Sequence, residues 1–189
     1  MTADPPHMVL VRHGETAWSR DRRHTGRTDI PLTPLGERQA AGLAPRLAGW
    51  KFGRVLVSPS ARARRTAELA GLEGPVTTED LLEWDYGYYE GRTTAAIRVD
   101  RPGWELFADG VPGGETIHQV ASRADRVVAE VRAGSGDVVV VAHAHLLRVL
   151  AVRWLGVDPV NARYLVLGPA SVSVLGWERT QPVLEHWNT

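Results

Sequence analysis

Three short runs of this sequence are apolar at every position and stop abruptly. Met8 to Val11 ends at Arg12-His13-Gly14, Val55 to Val57 at Ser58-Pro59-Ser60, and Val138 to Val141 at Ala142-His143-Ala144-His145. Four valines in a row leave no polar face, the pattern of a central strand covered by helices on both sides. Between the runs the period becomes helical. Thr33-Pro34 opens a helix, with threonine as cap and proline in first position; Ala40, Leu43 and Leu47 mark its inner face, and Pro45 bends or ends it. Ser60 caps an Ala- and Arg-rich helix through about Leu69. Ile117, Val120, Ala121, Ala124, Val127, Val128 and Val131 follow i, i+3, i+4, i+7 spacing up to Gly134, and an apolar helix follows His145 through about Leu155.

The rest of the chain reads differently. Gly14 to Pro31 is loop-like, and Glu83 to Gly114, dense in Trp, Tyr, Gly and Pro, reads as a lid or wall with a helical turn or two near Thr94 to Arg98. Strands are expected near Tyr164 to Val166, Val172 to Trp177 and Val183 to Trp187. Strands alternating with helices predict an α/β fold, a three-layer α/β/α sandwich with a mostly parallel central sheet, in a single domain over 1–189.

Composition narrows the chemistry. Of 189 residues, 22 are Lys or Arg and 22 are Asp or Glu, so bulk charge offers no attraction for nucleic acid or an anionic membrane. No apolar span nears the roughly 20 residues of a membrane helix, and Met1 to Gly14 lacks the features of a secretory signal. Absence of cysteine excludes disulfides, thiolate nucleophiles and cysteine zinc sites, and it fits a reducing cytoplasm, the expected location. The single lysine, Lys51, precedes Phe52 and follows no Gly-rich run, which removes the phosphate-binding loop of nucleotide triphosphatases.

In an open parallel sheet the ligand crevice lies beyond the carboxyl ends of the strands, so Arg12-His13, Ser58-Pro59-Ser60 with Arg62, and Ala142-His143 can converge there. Two histidines and two arginines, joined by helix N-termini, suit a phosphate dianion. Neutral imidazole attacks phosphorus, and a carboxylic acid must then protonate the departing alkoxide.

The segments LVRHGETAW, HTGRTDIPLTPLGERQA, SPSARARRTA, LLEWDYGYYEG, PGGET and AHAHLLR, in that order over roughly residues 8 to 155, resemble the histidine phosphatase superfamily, the phosphoglycerate mutase-like family. The resemblance implies that family's fold. It makes His13 the phosphorylated nucleophile, Arg12 and Arg62 the phosphate clamps, Glu83 the proton donor and acceptor, and His143 the second phosphate-contacting histidine. Asp85 and Glu90 stand close enough in sequence to supply the proton instead. Ser19, where the mutases carry asparagine, Thr25, Gly26, Tyr86 and Ala144, where the family usually has glycine, are expected to contact substrate.

The wall from Gly91 to Pro112 is short and lacks the paired adjacent arginines of the cofactor-dependent mutases, which favours hydrolysis over mutase chemistry. EWDYGYYEG with HTG is similar to a phosphatase branch that includes bacterial acid phosphatases and the sedoheptulose bisphosphatase type. The expected activity is a cofactor-free, metal-independent phosphatase for a small phosphorylated metabolite such as a sugar phosphate, with a homodimer compatible. Arg22, Arg23, His24 and Arg27, or Arg92, Arg98 and Arg101, can hold a second anionic group or simply be solvated. Trp84, Tyr86, Tyr88, Trp104 and Phe107 can face a sugar or pack the wall. Two further readings are a metal hydrolase built on His143-Ala144-His145, with Asp4, Asp137 or His118 as further ligands, and a non-catalytic phosphate-binding module.

Overall fold

The computed structural model describes residues 5–189, so the leader reading of the first residues and Asp4 lie outside the described residues. Six strands form one sheet: β1 (Met8–Arg12), β2 (Arg54–Val57), β3 (Val76–Thr77), β4 (Val138–Ala142), β5 (Val172–Glu178) and β6 (Gln181–His186). Their order is β3-β2-β4-β1-β5-β6. The first four are parallel to one another, and β5 and β6 extend the sheet as an antiparallel hairpin beside β1.

The helices are α1 (Ala17–Arg20), α2 (Pro34–Ala41), α3 (Ala44–Leu47), α4 (Ala61–Leu69), α5 (Thr94–Asp100), α6 (Leu106–Asp109), α7 (Ile117–Ala133) and α8 (Ala144–Trp154). Successive strand residues point to opposite faces. Leu10, Leu56 and Val140 therefore join one core with α7 and α8, whereas Val11, Val57 and Val141 join another with Leu43, Leu47, Ala63 and Ala67. Both faces of the central strands are dry, which is why every position in the valine run is apolar. Each such side chain contributes about 1.5–3 kcal/mol by leaving water.

The structure corrects several sequence expectations. Tyr164 to Val166 is not a strand: Asp158 caps a 3-10 helix over Pro159–Tyr164, and Tyr164 and Val166 are 71% and 69% exposed. The loop after Gly14 contains α1, closed by a reciprocal cap between Thr16 and Ser19. Pro45 opens α3 instead of ending α2, which stops at Ala41. The short edge strand Val76–Thr77 was not anticipated, because two exposed residues carry no pattern.

The wall is also more core than lid. Trp84, Tyr86, Tyr89, Trp104 and Phe107 are buried in the same core as α7 and α8, while Tyr88 is exposed. Packing thus accounts for most of its aromatic richness. No helix among the described residues is long and apolar enough to cross a membrane.

Candidate active site

With β4 between β1 and β2, the carboxyl ends of the three strands deliver His13, Ser58 and His143 to one edge. The two imidazoles meet edge to face with ring centroids 5.1 Å apart. His13 Nδ1 lies 2.7 Å from the Gly14 carbonyl oxygen, which can only accept, so Nδ1 carries the hydrogen and Nε2 keeps its lone pair. Burial, then Arg12 and Arg62, hold the His13 pKa well below its ordinary value, so the ring is neutral near pH 7. Gly14 allows this approach: a Cβ there would stand 2.3 Å from the Gly36 carbonyl oxygen.

His13 borders a cavity of about 270 Å³ whose wall also includes Arg12, Glu83, Tyr86, Ala144 and His145. Arg12 donates through Nη1 to the Leu167 carbonyl. Its Nε is the one buried side-chain polar atom without a hydrogen-bond partner among the described residues. A buried donor left unpaired costs roughly 1–3 kcal/mol, and the Arg12 guanidinium at the cavity suits an anion.

Arg62 and His143 stand one layer behind. Arg62 is buried, and its donors go to His143 Nδ1 at 3.2 Å, to the Thr28 carbonyl at 2.9 Å, and to the Gly26 and Thr25 carbonyls at 2.9 and 3.3 Å. His143 Nδ1 must therefore accept, which leaves the hydrogen on Nε2, 2.8 Å from Ser58 Oγ. Burial and then Arg62 lower the His143 pKa well below its ordinary value. Neither side chain forms part of the cavity wall, so the structure brings them to His13 and to each other.

Of the three carboxylates considered for proton transfer, only Glu83 borders the cavity. Its Oε1 accepts from the backbone N–H groups of Trp84 and Leu146, each at 2.9 Å, and Oε2 accepts from that of His145 at 3.1 Å. One acceptor position on Oε2 remains to carry a proton. Glu90 instead grips the N–H groups of Gly26 and Thr28, and Asp85 accepts from the Gly87 N–H and faces Arg27.

The helix N-termini also differ from expectation. The N–H groups of His145 and Leu146 in the first turn of α8 go to Glu83, and that of Ala61 at the start of α4 goes to Asp29 at 3.0 Å. The chain's own carboxylates satisfy these three donors.

Ser19, Thr25, Tyr86 and Ala144 all border the cavity, whereas Gly26 does not. The Ser19 hydroxyl is engaged with Thr16 in the α1 cap. Gly26 is pinned between Glu90 and Arg62, and a Cβ there would lie 2.5 Å from the Trp84 carbonyl.

Sequence reasoning missed the brace that sets Glu83. Arg123, buried on α7, forms a two-pronged pair with Glu115 at 2.9 and 3.1 Å and donates to the Asp80 carbonyl at 2.9 Å; Glu115 accepts from the Asp85 N–H at 2.9 Å. The signal was an arginine beside Val120 and Ala124 on an otherwise apolar face. Arg148 was also missed, and His145, three residues before it on α8, was read only as a candidate metal ligand; both border the cavity. His143 and His145 hold separate partners, Ser58 and Tyr86, and no three His, Asp or Glu side chains among the described residues are grouped to hold a metal ion.

The chain is similar to several known proteins. An acid phosphatase of Mycobacterium tuberculosis is 41% identical, covering 90% of this chain and 86% of its own. Sedoheptulose 1,7-bisphosphatase of Saccharomyces cerevisiae is 32% identical over 80% and 68%. A probable phosphoglycerate mutase of Salmonella choleraesuis is 33% identical over 95% and 89%. The solved structure of a mycobacterial glucosyl-3-phosphoglycerate phosphatase in complex with VO3 superposes with a TM-score of 0.88 at 30% identity, covering 97% of this chain and 99% of that one. The family model of branch 1 matches residues 8–189, and the chain belongs to the histidine phosphatase superfamily.

Proposed function

We propose that this chain, as one domain over 1–189, is a metal-independent phosphomonoester hydrolase that works through a phosphohistidine on a small phosphorylated metabolite, a sugar phosphate or similar. The observation that carries the reading is local. One cavity is bordered by a neutral His13 with a free Nε2, by Arg12, whose buried Nε–H has no partner among the described residues, and by Glu83 with one open acceptor position. Relatives named as phosphatases support hydrolysis over the alternatives.

In the first step His13 Nε2 bonds to phosphorus as the ester P–O bond breaks, and the leaving oxygen takes the Glu83 proton. In the second, water bonds to phosphorus as the P–N bond breaks, its proton returns to Glu83, and inorganic phosphate departs. Proton transfer of this kind typically contributes about 10²–10⁴-fold. Arg12 stabilises the developing charge directly, whereas Arg62 and His143 act from behind His13 by charge and alignment. In the wall, Arg92 is paired with Asp100 and Arg101 donates to Tyr89. A cytoplasmic location is proposed from the cysteine-free composition alone.

The test is phosphate release from sugar phosphates, phosphoglycerates and nucleotides in chelator, run beside 3- to 2-phosphoglycerate conversion with the bisphosphate cofactor. Release without isomerisation is the expected result. Isomerisation with little release would make the protein a compact mutase.

A further inference from the structure

A second cavity of about 230 Å³ adjoins the first and shares four bordering residues with it: His24, Thr94, His145 and Arg148. We propose that this second cavity is a distal subsite for an anionic group at the far end of the substrate, so that the enzyme prefers a polyhydroxylated chain with an anion at each end. The proposal rests on the phosphatase reading and adds the substrate class.

The shared residues are suited to hydroxyl groups. Tyr86 Oη lies 2.5 Å from His145 Nδ1, and burial raises the Tyr86 pKa well above its ordinary value, so the phenol keeps its hydrogen and can give it to Nδ1. In that arrangement His145 is the Nε2–H tautomer, with that N–H unclaimed by other described residues. Burial lowers the His145 pKa well below its ordinary value and that of His24 to about 4. Two neutral imidazoles and the Thr94 hydroxyl form the uncharged side of the passage, and Arg148 its cationic side.

Beyond it the charge changes. Arg98, Arg148 and Arg163 border the second cavity against a single carboxylate, Glu105, which stands 3.3 Å from Arg163. Arg148 spends Nε and Nη2 on the Ala162 and Arg163 carbonyls, and its Nη1 has no partner among the described residues. Arg98 spends only Nε, on the Trp104 carbonyl. Three guanidinium groups with donors to spare match the oxygens of a carboxylate or a second phosphate. Trp104 and Phe107, also at this cavity, offer the apolar surface that the carbon chain of a sugar can cover.

The experiment compares kcat and KM for 4-nitrophenyl phosphate, fructose 6-phosphate, fructose 1,6-bisphosphate and 6-phosphogluconate in the native enzyme, in Arg98→Met/Arg163→Met and in Arg148→Met. The native enzyme is expected to favour the two doubly anionic sugars over fructose 6-phosphate, and the comparison between them distinguishes a second phosphate from a carboxylate. Each variant is expected to lose about 10–100-fold in kcat/KM on the favoured substrate, mainly through KM, and Arg98→Met/Arg163→Met, whose residues stand outside the first cavity, is expected to lose less than about 3-fold on the aryl phosphate. Equal native rates on singly and doubly anionic sugars, no loss in the variants, or a matching loss of that double variant on the aryl phosphate would overturn the subsite. Failure of the native enzyme on the aryl phosphate would instead overturn the phosphatase reading, and the subsite with it. Arg98 and Arg163 are largely surface residues, so that double variant separates charge from any folding defect of Arg148→Met.

Discussion

Arg62 Nε donates to His143 Nδ1 at 3.2 Å, so two side chains that the sequence presents as separate phosphate contacts form one unit. Removing either member frees the other to turn. Arg62→Met and His143→Gln are each expected to lower kcat/KM by about 10²–10³-fold. The double variant should lose little beyond the worse single one. Losses that multiply in the double variant would show two independent contacts.

Glu83 is the carboxylate at the cavity, and its role is separable by leaving group. Glu83→Gln should cost about 10²–10⁴-fold on alkyl phosphates and far less on 4-nitrophenyl phosphate, whose departure needs little proton assistance. Equal losses on both would point to a structural role at the start of α8. Glu90→Gln serves as the contrast: it should loosen the loop at Gly26 and Thr28 and depress both substrates together.

Four imidazoles, His13, His24, His143 and His145, have pKa values lowered by burial from the ordinary 6.5. Unfolded chains take up these protons near 6.5 while the folded protein resists, so the unfolded state binds more protons on the acid side. Stability should thus be full above about pH 6.5 and fall as the pH drops, with the loss through His24 complete near pH 4, where the buried ring itself takes up a proton. Thermal melts between pH 7.5 and 4.5 check this, and His24→Gln should shallow the slope. A Tm that rises on acidification would contradict it.

Gly14 and Gly36 touch through their backbones, and a Cβ on Gly36 would lie 2.0 Å from the Glu15 carbonyl oxygen. Gly36→Ala should destabilise the protein by about 1–3 kcal/mol and misplace His13, because this contact joins α2 to the loop after β1. Unchanged denaturant midpoint and activity would show that the loop absorbs the methyl group.

The sheet was legible because its strands are dry on both faces: an unbroken valine run admits few other readings. α7 was legible from its period and α2 from Thr33, which caps it, whereas Ser60 precedes α4 but its side chain makes no capping hydrogen bond. What sequence could not carry was contact across the fold. The Arg62 to His143 bond spans 81 positions and that of Leu146 to Glu83 spans 63. No local pattern says that α8 gives its N-terminal donors to Glu83. The wall misled for a related reason: Gly and Pro between aromatics look like a loop until Trp84 and Trp104 are seen to fill the core beneath it.

The central claim is a covalent bond between His13 Nε2 and phosphorus, and rapid quenching under alkaline conditions followed by mass spectrometry of peptides tests it most directly. The account predicts an acid-labile, base-stable phosphate on His13 during turnover, which accumulates when the second step is slowed and is absent in a folded His13→Ala variant. Steady hydrolysis by that variant, or phosphate on another residue, would contradict it.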